Sequence, residues 1–193
     1  MFFMNARYLA KIGMLSAIAT ILMFFEVPLP MMPVFLKLDI SDLPAIIAAF
    51  LYGPMAGVLI EFIKNVLHGI NSQTMGIGEV ANFLVGIAFI LPAGFLYKGM
   101  DPKNSAVIAL LSGTISMVIF ASLLNYFVLL PMYQSVLHFP LDQIIQMGNA
   151  SNPAIVDLKS FIALAIAPFN FIKGLCMSIF TLVLYRKLQN ILA

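Results

Sequence analysis

The sequence predicts an all-α membrane protein: a single integral-membrane domain over residues 1–193, with six transmembrane helices and both termini cytoplasmic. Two observations point to the membrane. The chain is 62% hydrophobic and 9% charged, with a mean hydropathy of +1.05, far too little charge to cover a water-soluble surface. At about 20 residues per crossing, its 193 residues hold roughly six helices with short connections and leave no room for a soluble domain. A third observation, the spread of cations, sets the orientation. Six spans bring Arg7, Lys11, Lys98, Lys103, Arg186 and Lys187 to one side, against Lys37 and Lys159 on the other. The richer side is cytoplasmic by the positive-inside rule, so loops near 27–41, 71–76 and 134–155 face out.

Apolar runs bounded by Gly, Pro and charge place the spans near 8–26, 42–52, 54–71, 76–98, 104–133 and 156–188. The first follows Arg7 and Lys11, and Glu26-Val-Pro-Leu-Pro behind it has no small-x-small cleavage pattern, so it reads as a retained helix. Ala6, Ala10, Gly13 and Ala17 recur along it at a spacing that lets another helix approach closely, from within this chain or from a partner. The second span is short for a full crossing. Ser41-Asp42 marks its start as a cap, Pro44 sits in the first turn where a missing N–H does no harm, and Gly53-Pro54 breaks it from the third. The two halves of the chain do not repeat, which argues against an inverted-repeat transporter.

The polar residues are unevenly distributed in depth. Glu61, Lys64, Asn65 and His68 share one face of span 3 toward its outer end, as an ion-pair stripe between helices or as a ligand site. Glu79 and Asn82 fall in the first two turns of span 4, suited to ligand contact or to a helix–helix hydrogen bond. Asn125 in span 5 and Asn170 in span 6 lie about 12 and 13 Å below the outer ends of their helices at 1.5 Å per residue. Lys173 is one turn deeper, in an apolar run from Phe161 to Tyr185 that contains no acid, so it requires a partner from a neighbouring helix or a polar ligand. Pro168, two residues before Asn170, cannot donate to the Leu164 carbonyl and loosens the backbone there. Hydroxyl residues apart, the inner halves of the spans are filled with Leu, Ile, Val, Ala, Met and Phe. The pattern completes the fold class with a ligand pocket near the outer side, closed below, and excludes a channel, which needs a wetted path to the other face.

The chemistry classes narrow in the same direction. Cys176 is single, which excludes internal disulfides and cysteine metal sites, and it reads as a lipid-facing filler. His68 and His138 are a weak metal signal and no metal is expected. No phosphate-binding Gly-x-x-x-x-Gly-Lys loop, Gly-x-Ser-x-Gly elbow or His-Glu-x-x-His motif is present, which favours a binder over a catalyst. Met31, Met32, Phe35 and prolines 28, 30 and 33 make a stiff apolar outer loop, either a membrane contact or a lid.

Lys37-Leu-Asp-Ile-Ser-Asp-Leu-Pro-Ala, Tyr52-Gly-Pro, Glu61-Phe-Ile-Lys-Asn, Gly78-Glu-Val-Ala-Asn-Phe, Leu124-Asn-Tyr and Pro168-Phe-Asn-Phe-Ile-Lys-Gly, in this order, resemble the riboflavin-specific substrate-binding subunits (S components) of energy-coupling factor (ECF) vitamin transporters. The resemblance covers essentially the whole chain. It implies a multi-pass subunit of a bacterial cytoplasmic membrane that captures extracellular riboflavin. Such a subunit works with a transmembrane coupling subunit (T component) and two cytoplasmic ABC-type ATPases, without ATP hydrolysis, cofactor or nucleic acid of its own. It further implies that Asn125, Asn170 and Lys173 contact the polar edge of the flavin. Glu79, Asn82 and the loop with Leu38, Asp39 and Ser41 then lie near the ring or ribityl chain, and Ala10, Gly13 and Ala17 face the coupling subunit. The chemistry is compatible, because an asparagine amide offers donor and acceptor in one plane to a uracil-like edge. Phe83, Tyr126, Phe169 and Phe171 stand beside these positions as candidate apolar walls. An S component for another vitamin or metabolite is the alternative, and an intramembrane enzyme using Glu61 and His68 is a distant one.

Overall fold

The structure, a computed structural model, describes residues 6–29, 32, 36–100 and 105–192, with side chains described as far as Tyr185. α1 (Ala6–Met23) leads into a two-stranded antiparallel ladder of β1 (Val27–Pro28) and β2 (Lys37–Leu38), in which Val27 faces Leu38 and Pro28 faces Lys37. α2 (Leu43–Tyr52), α3 (Pro54–Gly69), α4 (Ile77–Gly99) and α5 (Ser105–Leu124) follow. A π-helical segment, Asn125–Leu129, joins α5 to α6 (Leu130–Val136). α7 (Leu141–Ser151) precedes α8 (Leu158–Phe161), and a second π-helical segment, Ile162–Ile166, joins α8 to α9 (Ala167–Leu192).

Among the described residues, four stretches are long and apolar enough to cross a membrane: Ala6–Met23, Ile77–Gly99, Ser105–Val136 and Leu158–Tyr185. Their outward side chains, among them Ile21, Phe95, Ile119, Phe127 and Val183, are exposed and apolar, as a lipid-facing surface requires. α2 is shorter, about 15 Å for its ten residues against a hydrocarbon core of about 30 Å. It is broken from α3 at Gly53, whose φ of +103° is open to glycine and strained for other residues. The Gly53 N–H still reaches the Ala49 carbonyl at 3.0 Å, so the break leaves that donor satisfied.

The start of α2 corrects one expectation. Asp42 takes helical dihedrals, φ −74° and ψ −15°, and its side chain caps no backbone N–H. Its carboxylate is claimed by two buried ammonium groups, Lys64 and Lys173, which are stronger partners than a neutral amide.

Buried side chains form two clusters. The larger joins α1, α2, α3, α4, α5 and α9 through Ile12, Ile46, Ile60, Phe89, Leu110 and Met177. At one end of it Tyr97 stacks on Phe50 with centroids 4.0 Å apart and donates to the Tyr185 hydroxyl at 2.6 Å. Cys176 is half-buried against this cluster and is not a purely lipid-facing filler. The smaller cluster, Leu130, Ile144, Ile155, Phe161 and Ile166, is built by α6, α7, α8 and the second π-helical segment. α7 lies in the segment near 134–155 expected to be loop, although Leu141, Ile144, Ile145 and Gly148 recur at helical spacing. A Cβ at Gly148 would stand 2.7 Å from the Phe161 ring, so glycine lets α7 lie directly on α8.

On α1, Ile12, Leu15 and Ala19 are buried while Ala10, Gly13 and Ala17 are exposed. Ala10, Gly13 and Ala17 therefore do not pack against the described residues, and a Cβ at Gly13 would meet none of them within 4 Å. Of the proposed lid, Pro30, Met31, Pro33 and Phe35 lie outside the described residues.

Candidate ligand-binding site

A cavity of about 580 Å³ opens where α3, α4, α6, α7, α9, the first π-helical segment and the β1–β2 ladder converge, a size suited to a small-molecule ligand. Asp39, Glu79, Asn82, Asn125, Asn170 and Lys173 all line it. Leu38 and Ser41 do not. Leu38 is held in the ladder opposite Val27. Ser41 is fully buried, with its N–H donating to Asp39 Oδ1 at 2.9 Å and its hydroxyl bonded to the same oxygen.

The two deep asparagines are presented in the same way. Asn125 opens the first π-helical segment and donates Nδ2–H to the Ala121 carbonyl at 2.8 Å. Asn170 follows the second and donates to the Ile166 carbonyl at 2.9 Å. Each amide keeps Oδ1 and a second N–H for a ligand. Each π-helical segment ends two residues before a proline, Pro131 or Pro168. Without a proline N–H, the carbonyls of Phe127 and Leu164 lose their α-helical donors, and the turn widens. The wider turns are closed by Leu130 N–H to Asn125 O and Ala167 N–H to Ile162 O. The loosening expected at Pro168 is thus seen, and Pro131 was the equivalent signal for Asn125.

Lys173 finds its acids on other segments. Its Nζ is 3.0 Å from Asp39 Oδ2 and 3.2 Å from Asp42 Oδ2. Two of its three N–H groups are thereby engaged, and the third is available to a cavity ligand. Lys64 is wholly buried, paired with Asp42, 3.0 Å from Glu61 Oε2 and donating to Ser41 Oγ at 2.7 Å. The expected stripe on α3 therefore divides. Glu61, Lys64 and Asn65 bond among themselves, whereas His68 Nδ1 crosses to Glu79 Oε1 on α4 at 3.0 Å. Glu79 also accepts from Ser72 Oγ at 2.7 Å, which ties the mouth of the cavity to the loop between α3 and α4. Close approach of α3 to α4 depends on Gly86, where a Cβ would stand 2.7 Å from Glu61 Oε2. Asn82 Oδ1 is buried and receives no donor from the described residues, so it can accept from a ligand.

Of the four candidate aromatic walls, Phe169 alone lines the cavity. Phe83 packs edge-on against Phe62, Tyr126 against Phe127, and Phe171 is exposed. Neighbours on a helix point about 100° apart, so adjacency in sequence to a pocket residue turns a side chain away from the pocket. Phe24, Tyr133 and Phe139 supply the other aromatic surfaces, with Ile144 and Met147 of α7. They come from the end of α1, from α6 and from the segment read as loop, where no polar neighbour singled them out. An exposed ion pair, Glu26 with Lys37, closes the ladder beside the mouth.

Residues 7–185 match the family described as ECF transporter, substrate-specific component. The chain belongs to this family. It is 40% identical over 191 residues to the riboflavin transporter FmnP of Bacillus subtilis, covering 96% of this chain and 94% of that one. It is 41% identical over 186 residues to the riboflavin transporter RibU of Staphylococcus aureus, covering 96% and 92%. A solved S component of a bacterial ECF transporter superposes with a TM-score of 0.76 at 39% identity, over 95% of this chain and 96% of that one. An S component is a substrate-binding membrane subunit and not an enzyme. Glu61 is paired with Lys64, and His68 with Glu79.

Proposed function

We propose that this S component captures extracellular riboflavin at a bacterial cytoplasmic membrane and hands it to an ATP-driven ECF transporter. The observation that carries the reading is the convergence of Asn82, Asn125, Asn170 and Lys173 on one cavity, each with unused hydrogen-bonding capacity, beside Phe169, Phe24 and Tyr133. A flavin needs that combination: flat apolar faces, and a uracil-like edge with alternating donors and acceptors. The names of the two relatives at about 40% identity support the same ligand. Asn125, Asn170 and Lys173 hold the ring edge. Asn82, Glu79 and Asp39 serve the ring or the ribityl chain, and Leu38 and Ser41 support the loop that carries Asp39.

The chain crosses the membrane six times with both termini cytoplasmic, α2 and α3 completing the four longer spans, and the cavity lies near the outer side. The placement of Arg and Lys in the sequence supports this orientation. Ala10, Gly13 and Ala17 form the seat for the T component, to which two cytoplasmic ABC-type ATPases attach. Beyond Lys173 the described core is apolar apart from buried hydroxyls, among them those of Thr114, Ser178 and Thr181, and it carries no charge, so release requires movement of the subunit by these partners.

The purified protein is expected to bind riboflavin stoichiometrically, to carry a flavin absorbance band when isolated from flavin-replete cells, and to ignore thiamin and biotin. Displacement of the bound flavin by thiamin or biotin, or absence of any flavin binding, would refute the assignment.

A further inference from the structure

We infer that Asp42 and Lys64, which do not line the cavity, are positioning residues for ligand recognition and act through Lys173. The inference rests on the riboflavin reading above. Five side chains close a ring: Lys64 to Asp42, Asp42 to Lys173, Lys173 to Asp39, Asp39 to Ser41, and Ser41 back to Lys64. The members come from the loop after β2, the start of α2, α3 and α9. All five are less than a tenth exposed, and Lys64 is fully buried.

The geometry divides the labour. Asp42 offers Oδ1 to Lys64 and Oδ2 to Lys173, so its carboxylate plane is set from both sides. Asp39 likewise offers Oδ1 to Ser41 and Oδ2 to Lys173. Two fixed carboxylate oxygens at 3.0 and 3.2 Å hold the Lys173 ammonium in position and direction, which leaves its third N–H at the cavity. Lys64 also sets the strength of that donor. Shared with Lys64, Asp42 is only partly available to Lys173. Without Lys64, two full carboxylate charges would bear on one ammonium and compete with the ligand for it. The ring further ties the Asp39 loop to α3 and α9, so the loop and the lysine move as one unit.

The test is a double-mutant cycle on the full chain in lipid nanodiscs, read by riboflavin titration with thermal unfolding in parallel. Asp42→Asn, Ser41→Ala and Lys64→Met are each made alone and combined with Lys173→Met. Asp42→Asn is expected to weaken riboflavin binding about tenfold, the equivalent of ~1.4 kcal/mol, in the wild-type background. In the Lys173→Met background it should weaken binding less than twofold. Lys64→Met follows the same pattern, and Ser41→Ala, which unpairs no charge, gives a smaller loss that also disappears without Lys173. Equal losses in both backgrounds, or no loss in the wild-type background, overturn the inference while leaving riboflavin binding intact. Failure of the unmutated protein to bind riboflavin overturns the functional reading and this inference with it. If Lys64→Met does not fold, Asp42→Asn and Ser41→Ala, which change shape least, decide the matter.

Discussion

Lys173 Nζ stands 3.0 Å from Asp39 Oδ2, a buried pair closed across 134 residues of chain. A lysine that looks isolated in its own helix is the junction between the loop after β2 and the last transmembrane stretch. With Asp42 as a second acid, it combines a structural load with a free donor in the cavity.

Replacing Lys173 by Met separates the two duties. The lost cation leaves Asp39 and Asp42 buried with only Lys64 for compensation, a loss on the order of 3–5 kcal/mol for a buried pair. The melting temperature and riboflavin affinity should both fall. Adding Asp39→Asn should recover much of the melting temperature but not the affinity. Recovery of both together would show that Lys173 does not touch the ligand.

Asn125→Ala and Asn170→Ala should leave the fold nearly unchanged, because the bonds from these amides to Ala121 and Ile166 stay within one helix and add little. Riboflavin affinity should fall about tenfold for each, the value of one or two hydrogen bonds at ~1 kcal/mol apiece. Fluorescence titration measures this directly, and unchanged affinity in both variants would remove them from the site.

Gly148→Val forces a side chain against the Phe161 ring, with an overpacking cost of about 1–3 kcal/mol. α7 should lift and take Ile144 and Met147 away from the cavity wall. The expected signature in stopped-flow fluorescence is a several-fold faster riboflavin release, with a smaller change in the association rate. An unaltered release rate would mean that α7 is not a wall of the occupied site.

Gly13→Phe tests the α1 seat. Its side chain would project from a surface with no neighbour among the described residues, so melting temperature and riboflavin binding should be unaffected. Uptake into proteoliposomes containing the T component and ATPases should drop sharply. Full uptake would place the docking surface elsewhere.

The break at Gly53-Pro54, the four long apolar stretches and the gathering of Asn125, Asn170 and Lys173 around one cavity were all legible in sequence. Each rests on local rules: run length, proline and glycine chemistry, and residues counted along a helix. α7 was legible in principle from Leu141, Ile144, Ile145 and Gly148, but it was masked by its position between turn-forming residues. The aromatic walls were not, since Phe24, Tyr133 and Phe139 reach the cavity through the packing of three separate segments.

Composition and periodicity alone were sufficient for a helical membrane protein, because burial in lipid constrains every residue of a span in the same way. They could not say which acids neutralise Lys173, that Asp42 would leave the end of α2 uncapped, or that His68 would pair with Glu79 instead of joining Lys64. Those outcomes are set by the distances between segments far apart in the chain. A buried charge takes whichever partner the packed helices bring within about 3 Å, and no local pattern encodes that choice.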